Sequence, residues 1–306
     1  MNTALKSLLI TLLIGSALTQ VSAQQAAVNH TILNKYQDSL VLSASKMFEA
    51  TSNVQRFDLN AKFIRLLVSA LKTPSSFTYG FDSLKTISVV KSPDNAFRIF
   101  SWYIPTDEGT YRFFGTIQVA TRDGALKLYP LIDATAEIKD SNQVTTNKTW
   151  YGARYYEIVP IVVSGRNTSY ALLGWKGNNN KTSKKVIEIL SFEKDEAKFG
   201  KSIFMGPTGV ISSNNRIIFE YNKLNSMTLR MDKNEGMIVF DHLAPFAPDM
   251  EGNFEYYASD SSFDGYRLVG DKLKLTENLE LKNDPNALDD FYVDPKLKNP
   301  PVTKKF

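Results

Sequence analysis

Strand-forming residues dominate the chain from Phe77 onward, where apolar and polar positions alternate at period two. Residues 216–221 are rich in β-branched and aromatic side chains, and residues 227–231 alternate regularly. A turn at 234–236 leads into the apolar run 237–240, so these segments predict a three-stranded antiparallel meander. Further strands are predicted at 86–90, 97–104, 111–121, 126–132, 155–163, 170–175, 186–192, 254–257, 266–269 and 272–275.

Turn residues separate these strands. The pair Asp123-Gly124 predicts a type I′ hairpin turn, which needs positive φ at both central residues. Gly270-Asp271 predicts a second tight turn. Pro245 and Pro248 cannot donate to a strand ladder, so residues 243–253 are predicted to form a loop with Asp241 and His242 at its entrance.

Helical spacing is confined to the N-terminal part of the chain. Apolar residues recur at this spacing over 31–48 and again over 59–71, where Asp58 is the predicted N-cap and Pro74 ends the helix. Each helix needs a surface for its apolar face, so the pattern predicts a helical pair packed on a sheet. A receptor-binding helix pair is the alternative. The domain prediction is a helical segment at 24–76 and an antiparallel β domain at 77–282.

Two seven-residue segments, 96–102 and 169–175, resemble each other. Each ends in a tryptophan, with an aromatic residue five positions earlier and a turn upstream. Such a recurrence suggests repeated sheet units, and the spacing fits two four-stranded units of 35–40 residues in a propeller-like array.

The first 23 residues predict a signal peptide. Lys6 precedes an apolar run over 8–18, and Val21-Ser22-Ala23 forms a small-residue cleavage site. We therefore expect an exported chain, periplasmic or extracellular, with no membrane span after cleavage. The chain contains no cysteine, which excludes disulfides and a lipid-attachment cysteine, so a lipoprotein is not expected. Residues 283–306, rich in proline and lysine, predict an extended tail.

The charge balance argues against nucleic acid as a partner. The chain has 36 basic and 32 acidic residues, a net charge of +4, without a strong basic cluster. We expect an envelope protein or a glycan as the partner instead.

Candidate chemistry is sparse. The two histidines are His242 and His30, which lies close to the predicted cleavage site and is expected in a floppy terminus. A serine triad would need His242, but no Gly-x-Ser-x-Gly motif is present. The chain has too few histidines, and no cysteine, to supply the usual ligands of zinc. No cofactor is expected, and calcium bound by the acidic turns at 249–251 and 260–265 is the alternative.

Carbohydrate handling is the most specific chemical hypothesis. Exposed aromatic side chains stack on sugar rings, and paired carboxylates hydrolyse glycosides. The candidate binding residues are Asp241, His242, Asp249, Tyr257, Asp260, Asp264 and Trp175.

Four segments carry a resemblance to a known group of proteins. Residues 170–179, 216–221, 238–245 and 263–266 resemble exported proteins of Bacteroidota that carry no assigned function. The resemblance implies a Gram-negative envelope or extracellular location and supplies no catalytic residues.

Together these patterns predict a mainly β protein of antiparallel hairpins and meanders with an N-terminal helical pair. They favour an exported soluble protein that acts as a non-catalytic binding or structural module of the envelope. A glycan-active hydrolase using loop carboxylates is the alternative.

Overall fold

A computed structural model describes residues 3–165, 167–194 and 196–281, with side chains from residue 24 onward. The predicted tail, 283–306, lies outside the described residues, as do the side chains of the predicted signal peptide. Two helices precede fifteen strands in the described part of the chain. The strands are β1 (Ser88–Lys91), β2 (Phe97–Pro105), β3 (Tyr111–Val119), β4 (Lys127–Ile132), β5 (Thr145–Thr146), β6 (Arg154–Ile161), β7 (Ser169–Gly177), β8 (Thr182–Glu193), β9 (Glu196–Phe199), β10 (Phe204–Met205), β11 (Arg216–Asn222), β12 (Leu229–Asp232), β13 (Met237–Pro245), β14 (Tyr257–Val269) and β15 (Lys272–Thr276).

Helix α1 spans Thr3–Glu49 and helix α2 spans Asn53–Leu71. The Ser52 hydroxyl accepts the backbone N–H of Gln55 over 3.4 Å and caps the start of α2. The prediction that Asp58 caps this helix is wrong, because Ser52 provides the cap earlier and Asp58 lies inside α2. No helix in the described part of the chain is long and apolar enough to cross a membrane.

The helical pair covers one face of the first sheet, as predicted. Met47 of α1 and Phe63 of α2 lie in one buried cluster with Trp102 of β2. The rings of Phe63 and Trp102 meet edge to face, 5.2 Å apart. The Trp102 indole N–H donates to Asn60 Oδ1 over 2.8 Å, so the ring is buried with its polar atom satisfied.

The strands form three sheets, each built on an antiparallel meander of four consecutive strands. Sheet 1 contains β1–β4. Sheet 2 contains β6–β9, with β5 added beside β9 and β11 added beside β8. Sheet 3 contains β12–β15, with β10 added parallel to β15. The class is therefore the mainly antiparallel β fold that the alternation predicted.

The layers stack in the order helices, sheet 1, sheet 2, sheet 3. Strand β7 lies in the middle of this stack and is buried on both faces. Tyr170 and Leu172 pack toward sheet 1, whereas Ala171 and Leu173 pack toward sheet 3. Successive side chains of a strand point to opposite faces, so the middle of a strand that lies between two cores is apolar at successive positions.

The similar segments 96–102 and 169–175 fall on β2 and β7, which are the second strands of consecutive meanders. One four-stranded unit separates them, not the two predicted from their spacing. The part of the propeller-like prediction that the structure retains is the repetition of four-stranded units. The outer face of sheet 1 packs against helices rather than against a further sheet.

The meander predicted for residues 216–240 is wrong in its first strand. Strand β11 pairs with β8, which places Arg216 opposite Glu188, and β12 pairs with β13 in a different sheet. Arg216 and Glu188 form an ion pair at 2.8 Å with both side chains fully buried. The pairing with β8 places β11 in sheet 2. It joins residues far apart in the chain, so the local sequence pattern does not predict it.

The predicted turn type at Asp123-Gly124 is also wrong. The residue with positive φ is Gly124, at +71°, and β3 ends at Val119, well before the turn. The Asp123 carboxylate accepts the N–H of Ala125 over 3.1 Å. The aspartate thus stabilises a longer connection through its side chain, where a type I′ turn would need positive φ at Asp123 itself.

Replacement of Arg216 by methionine should lower the free energy of unfolding by about 3–5 kcal/mol, because it leaves the Glu188 carboxylate buried and unpaired. Urea unfolding followed by circular dichroism measures the loss. The matched control is Lys148→Met, which breaks an exposed ion pair with Glu196 and should cost no more than about 1 kcal/mol. Equal losses in the two variants would contradict the structural role of the buried pair.

Candidate functional site

The hairpin formed by β13 and β14 carries most of the predicted site residues. Its pairing shifts between Asp241 and Leu243, which is a β-bulge. The ladder then continues to Pro245 opposite Tyr257, so the predicted loop begins after Pro245 and not at Leu243. Pro245 is tolerated at this position because the ladder ends there, where no backbone N–H is needed to continue it.

The bulge presents His242 to solvent while a carboxylate holds its ring. Nδ1 of His242 lies 2.8 Å from Oδ2 of Asp264, and the His242 side chain is 47% exposed. The other oxygen of Asp264 accepts the backbone N–H of Asn278 over 2.9 Å. The hydrogen bond that the Asp264 carboxylate accepts from the ring raises the pKa of His242, and the nearby charges of Asp260 and Glu277 add to this effect.

Asp260 completes this acidic group. Its Oδ1 accepts the N–H of Ser262 over 2.9 Å and the hydroxyl of the same residue over 2.6 Å. These hydrogen bonds lower the pKa of Asp260, and His242 contributes through its charge. Three residues predicted from the sequence, His242, Asp260 and Asp264, therefore meet at the bulge.

Asp241 does not belong to this group, although it precedes His242 in the chain. Its carboxylate accepts the N–H of Thr228 over 2.9 Å, and its own N–H donates to the Thr228 carbonyl over 3.2 Å. The residue is 8% exposed. Adjacent strand residues face opposite sides of a sheet, so Asp241 fixes the segment before β12 while His242 faces the acidic group.

Asp249 lies farther along, in the loop that joins β13 to β14, and Tyr257 is the first residue of β14. The Tyr257 hydroxyl accepts the backbone N–H of Gly252 over 3.0 Å, and its ring lies 5.0 Å from that of Phe254. Tyr257 thus supports the loop conformation, whereas Asp249 is exposed at its surface.

Three aromatic side chains of this loop are exposed to solvent. Phe246 is 59% exposed, Phe254 is 41% exposed and Tyr256 is 36% exposed. The rings of Phe246 and Tyr256 meet edge to face at 6.5 Å. We call these three side chains the aromatic tip. Phe246 and Phe254 were not predicted from the sequence, because an exposed aromatic residue and a core aromatic residue look alike in a strand-rich sequence.

The β11–β12 turn extends the same surface. The Asn222 amide donates to the carbonyl of Glu255, which joins the turn to the loop of the aromatic tip. Within this turn Leu224 is 94% exposed. Lys181 forms an ion pair of 2.7 Å with the Glu255 carboxylate, so charged groups border the apolar surface.

Trp175 lies away from this hairpin. Its ring packs between sheets 1 and 2, 4.9 Å from Tyr103 and 5.3 Å from Tyr111. Trp175 is partly buried in an aromatic cluster between the sheets and is not brought together with the other candidate residues.

His30, which the sequence analysis assigned to a floppy terminus, lies on α1. Its ring meets Tyr79 edge to face at 5.3 Å and borders a cavity beside the helix. The signal available in the sequence was the spacing of His30 and Asn34, which places them on one helical face.

The described residues contain no group of three or more histidine, cysteine, aspartate or glutamate side chains that could hold a metal ion. The fold and the hairpin define a layered antiparallel β protein with a helical cover and an exposed aromatic loop. No protein-family model, curated protein or solved structure matches the chain.

Replacement of Asp264 by asparagine should lower the pKa of His242, because it removes the hydrogen-bonding carboxylate. An NMR titration of the histidine ring measures this. Since the folded pKa is raised above the unfolded value of about 6.5, the pair stabilises the fold fully below that pH, and the effect is lost as pH rises through the folded pKa.

The pH-dependent part of the stability difference between the wild type and Asp264→Asn should therefore disappear at high pH. Asp249→Asn is the control, since Asp249 lies in the exposed loop beyond the bulge. A His242 titration that is identical in the wild type and Asp264→Asn would refute the assignment.

Proposed function

We propose that the protein is an exported, non-catalytic binding module of the cell envelope and that it contacts a partner protein through the aromatic tip. The motivating observation is the exposure of Phe246, Phe254 and Tyr256 together on one loop. Single exposed apolar residues are common on protein surfaces, but a contiguous group bordered by polar residues marks an interaction surface.

The chemistry of this surface favours a protein over a glycan. Phe246 and Phe254 carry no polar atom on the ring, and Leu224 adds a fully aliphatic side chain. Charges of both signs border them, including the pair Lys181 and Glu255. An apolar, aromatic centre with a polar rim is the usual anatomy of a protein interface. We infer a partner surface with an apolar pocket and charged edges.

Export is supported by the pattern of Lys6, the apolar run over 8–18 and the small residues that end at Ala23. The resemblance of four segments to exported proteins of Bacteroidota points to the same compartment. The absence of cysteine fits a periplasmic or extracellular protein that is not anchored by a lipid.

The alternative, a glycan-active hydrolase, would use the acidic group at the bulge. His242 has Asp260, Asp264 and Glu277 in its surroundings. Both oxygens of Asp264 already accept hydrogen bonds, from His242 and from the N–H of Asn278. Loss of turnover by orders of magnitude in Asp260→Asn would favour this alternative over the binding module.

The double variant Phe246→Ser, Phe254→Ser should weaken partner binding by about 30-fold or more, because loss of an aromatic anchor costs about 2 kcal/mol at the centre of an interface. The measurement is quantitative capture of envelope proteins on immobilised wild-type and variant protein, followed by the affinity of the variant-sensitive partner.

The matched control is Val162→Ser, Val210→Ser, which removes two exposed apolar side chains that lie outside the hairpin. A partner retained by this control and lost by the double variant supports the proposal. Equal capture by all three proteins, or glycan binding as the one activity that depends on the tip, would overturn it.

A further inference from the structure

A cavity of about 480 Å³ lies between α1 and the segment that joins α2 to β1. Helix α1 contributes Asn29, His30 and Asn34 to its walls, and the joining segment contributes Tyr79 and Asp82. The volume falls within the range of about 300–1,000 Å³ that small-molecule sites occupy. The cavity is separate from the aromatic tip, which belongs to sheet 3.

Hydrogen bonds connect three of the lining side chains, Tyr79, Asn34 and His30, in a row. The Tyr79 hydroxyl donates to Oδ1 of Asn34 over 2.8 Å. This contact orients the Asn34 amide so that its Nδ2 lies 3.4 Å from Nδ1 of His30. An amide nitrogen donates, so in the neutral His30 ring this contact fits the tautomer in which Nδ1 accepts and Nε2 carries the proton. That tautomer offers an N–H donor at Nε2.

Further polar groups on the walls are also held in place. Oε1 of Gln37 accepts the backbone N–H of Ser83 over 3.1 Å, which ties α1 to the joining segment. Asn29 is 8% exposed, and its Oδ1 accepts from the Gln25 amide over 3.1 Å. These contacts fix the amides before any ligand arrives, and such preorganisation lowers the entropy lost on binding.

The charge of the cavity restricts its ligand. Asp82 lines the cavity. Burial raises the pKa of Tyr79, and the negative charges of Asp38 and Asp82 raise it further. No lysine or arginine is among the described lining residues. Carboxylates without a balancing cation repel phosphates and other anions.

The lining therefore combines amide donors and acceptors, one carboxylate, an imidazole and a phenol with the apolar side chains of Ala26, Leu33 and Pro74. This mixture suits a neutral ligand that carries several hydroxyl groups, each of which both donates and accepts. We propose that the cavity binds a small neutral sugar, with the Asp82 carboxylate and the amide oxygens accepting hydroxyl protons and Nε2–H of His30 donating. This site goes beyond the proposed function and does not depend on it.

The two histidines of the chain make the site observable. Purified protein is titrated with glucose, galactose and N-acetylglucosamine, one at a time at millimolar concentrations, while NMR records the ring resonances. His30→Gln assigns the signal. At least one sugar should shift the His30 resonance saturably and leave the His242 resonance unchanged. A shift of the His30 resonance cannot come from a ligand at the aromatic tip. The sugar-binding proposal and the proposed function can therefore fail independently of each other.

The isosteric variant Asp82→Asn should raise the Kd of that sugar by about tenfold or more, because it removes a charged hydrogen-bond acceptor. The matched control is Asp38→Asn, which makes the same charge change at a residue of α1 outside the described lining and should change the Kd by no more than about twofold. An unchanged His242 resonance confirms that each variant is folded.

Three results would overturn the proposal. The first is a His30 resonance that no sugar shifts in folded protein. The second is sugar binding that Asp82→Asn leaves unchanged. The third is a His30 shift produced by choline, a small organic cation, and by none of the sugars, since that would identify the carboxylate as a cation site.

Discussion

The buried ion pair between Glu188 and Arg216 is the constraint on which the middle of the structure depends. A charged pair in a protein interior is tolerated only when the remaining polar atoms are also satisfied. Here the second oxygen of Glu188 accepts the Tyr155 hydroxyl, which itself accepts the Trp150 indole N–H over 2.8 Å. The remaining guanidinium donors of Arg216 reach carbonyls of the segment 141–143 and the Thr145 hydroxyl. One polar network thus joins β6, β8, β11 and the segment that leads into β5.

A second buried cation extends this network toward sheet 1. Nζ of Lys176 donates to the carbonyls of Tyr151 and Gly152 and to the Thr135 hydroxyl. The Tyr151 ring contacts both Lys176, at 4.2 Å, and the guanidinium of Arg216, at 4.9 Å. Burial lowers the pKa of Lys176 to about 7, although Asp133 opposes this shift. Gly152 has a φ of +79°, and a Cβ at this position would lie 2.9 Å from Oδ1 of Asp133, so a larger residue there would be strained. The interior of the stack is held by polar contacts as well as by apolar packing.

Sheet 2, fixed in this way, supports exposed groups at the two ends of the stack. Sheet 3 packs on one face of sheet 2 and carries the β13–β14 hairpin, with the His242–Asp264 pair at the bulge and the aromatic tip beyond it. Sheet 1 packs on the other face and carries the helices, and α1 lines the cavity near His30. Both candidate sites lie on surface elements positioned by a packed core, which is where binding residues concentrate in proteins.

The sequence by itself determined the elements whose signal is local. Alternation at period two identified most strands, helical spacing identified the pair that covers sheet 1, and proximity along one hairpin brought His242, Asp260 and Asp264 together. Tertiary structure alone decided which sheet receives β11, that Trp175 is partly buried between sheets, and that His30 borders a cavity. Each of these depends on contacts between residues far apart in the chain, and such contacts produce no periodic pattern in the sequence. Asp241 and His242 show most directly what the sequence does not determine. The sheet places these neighbours on opposite faces, so Asp241 binds the Thr228 backbone whereas His242 contacts Asp264.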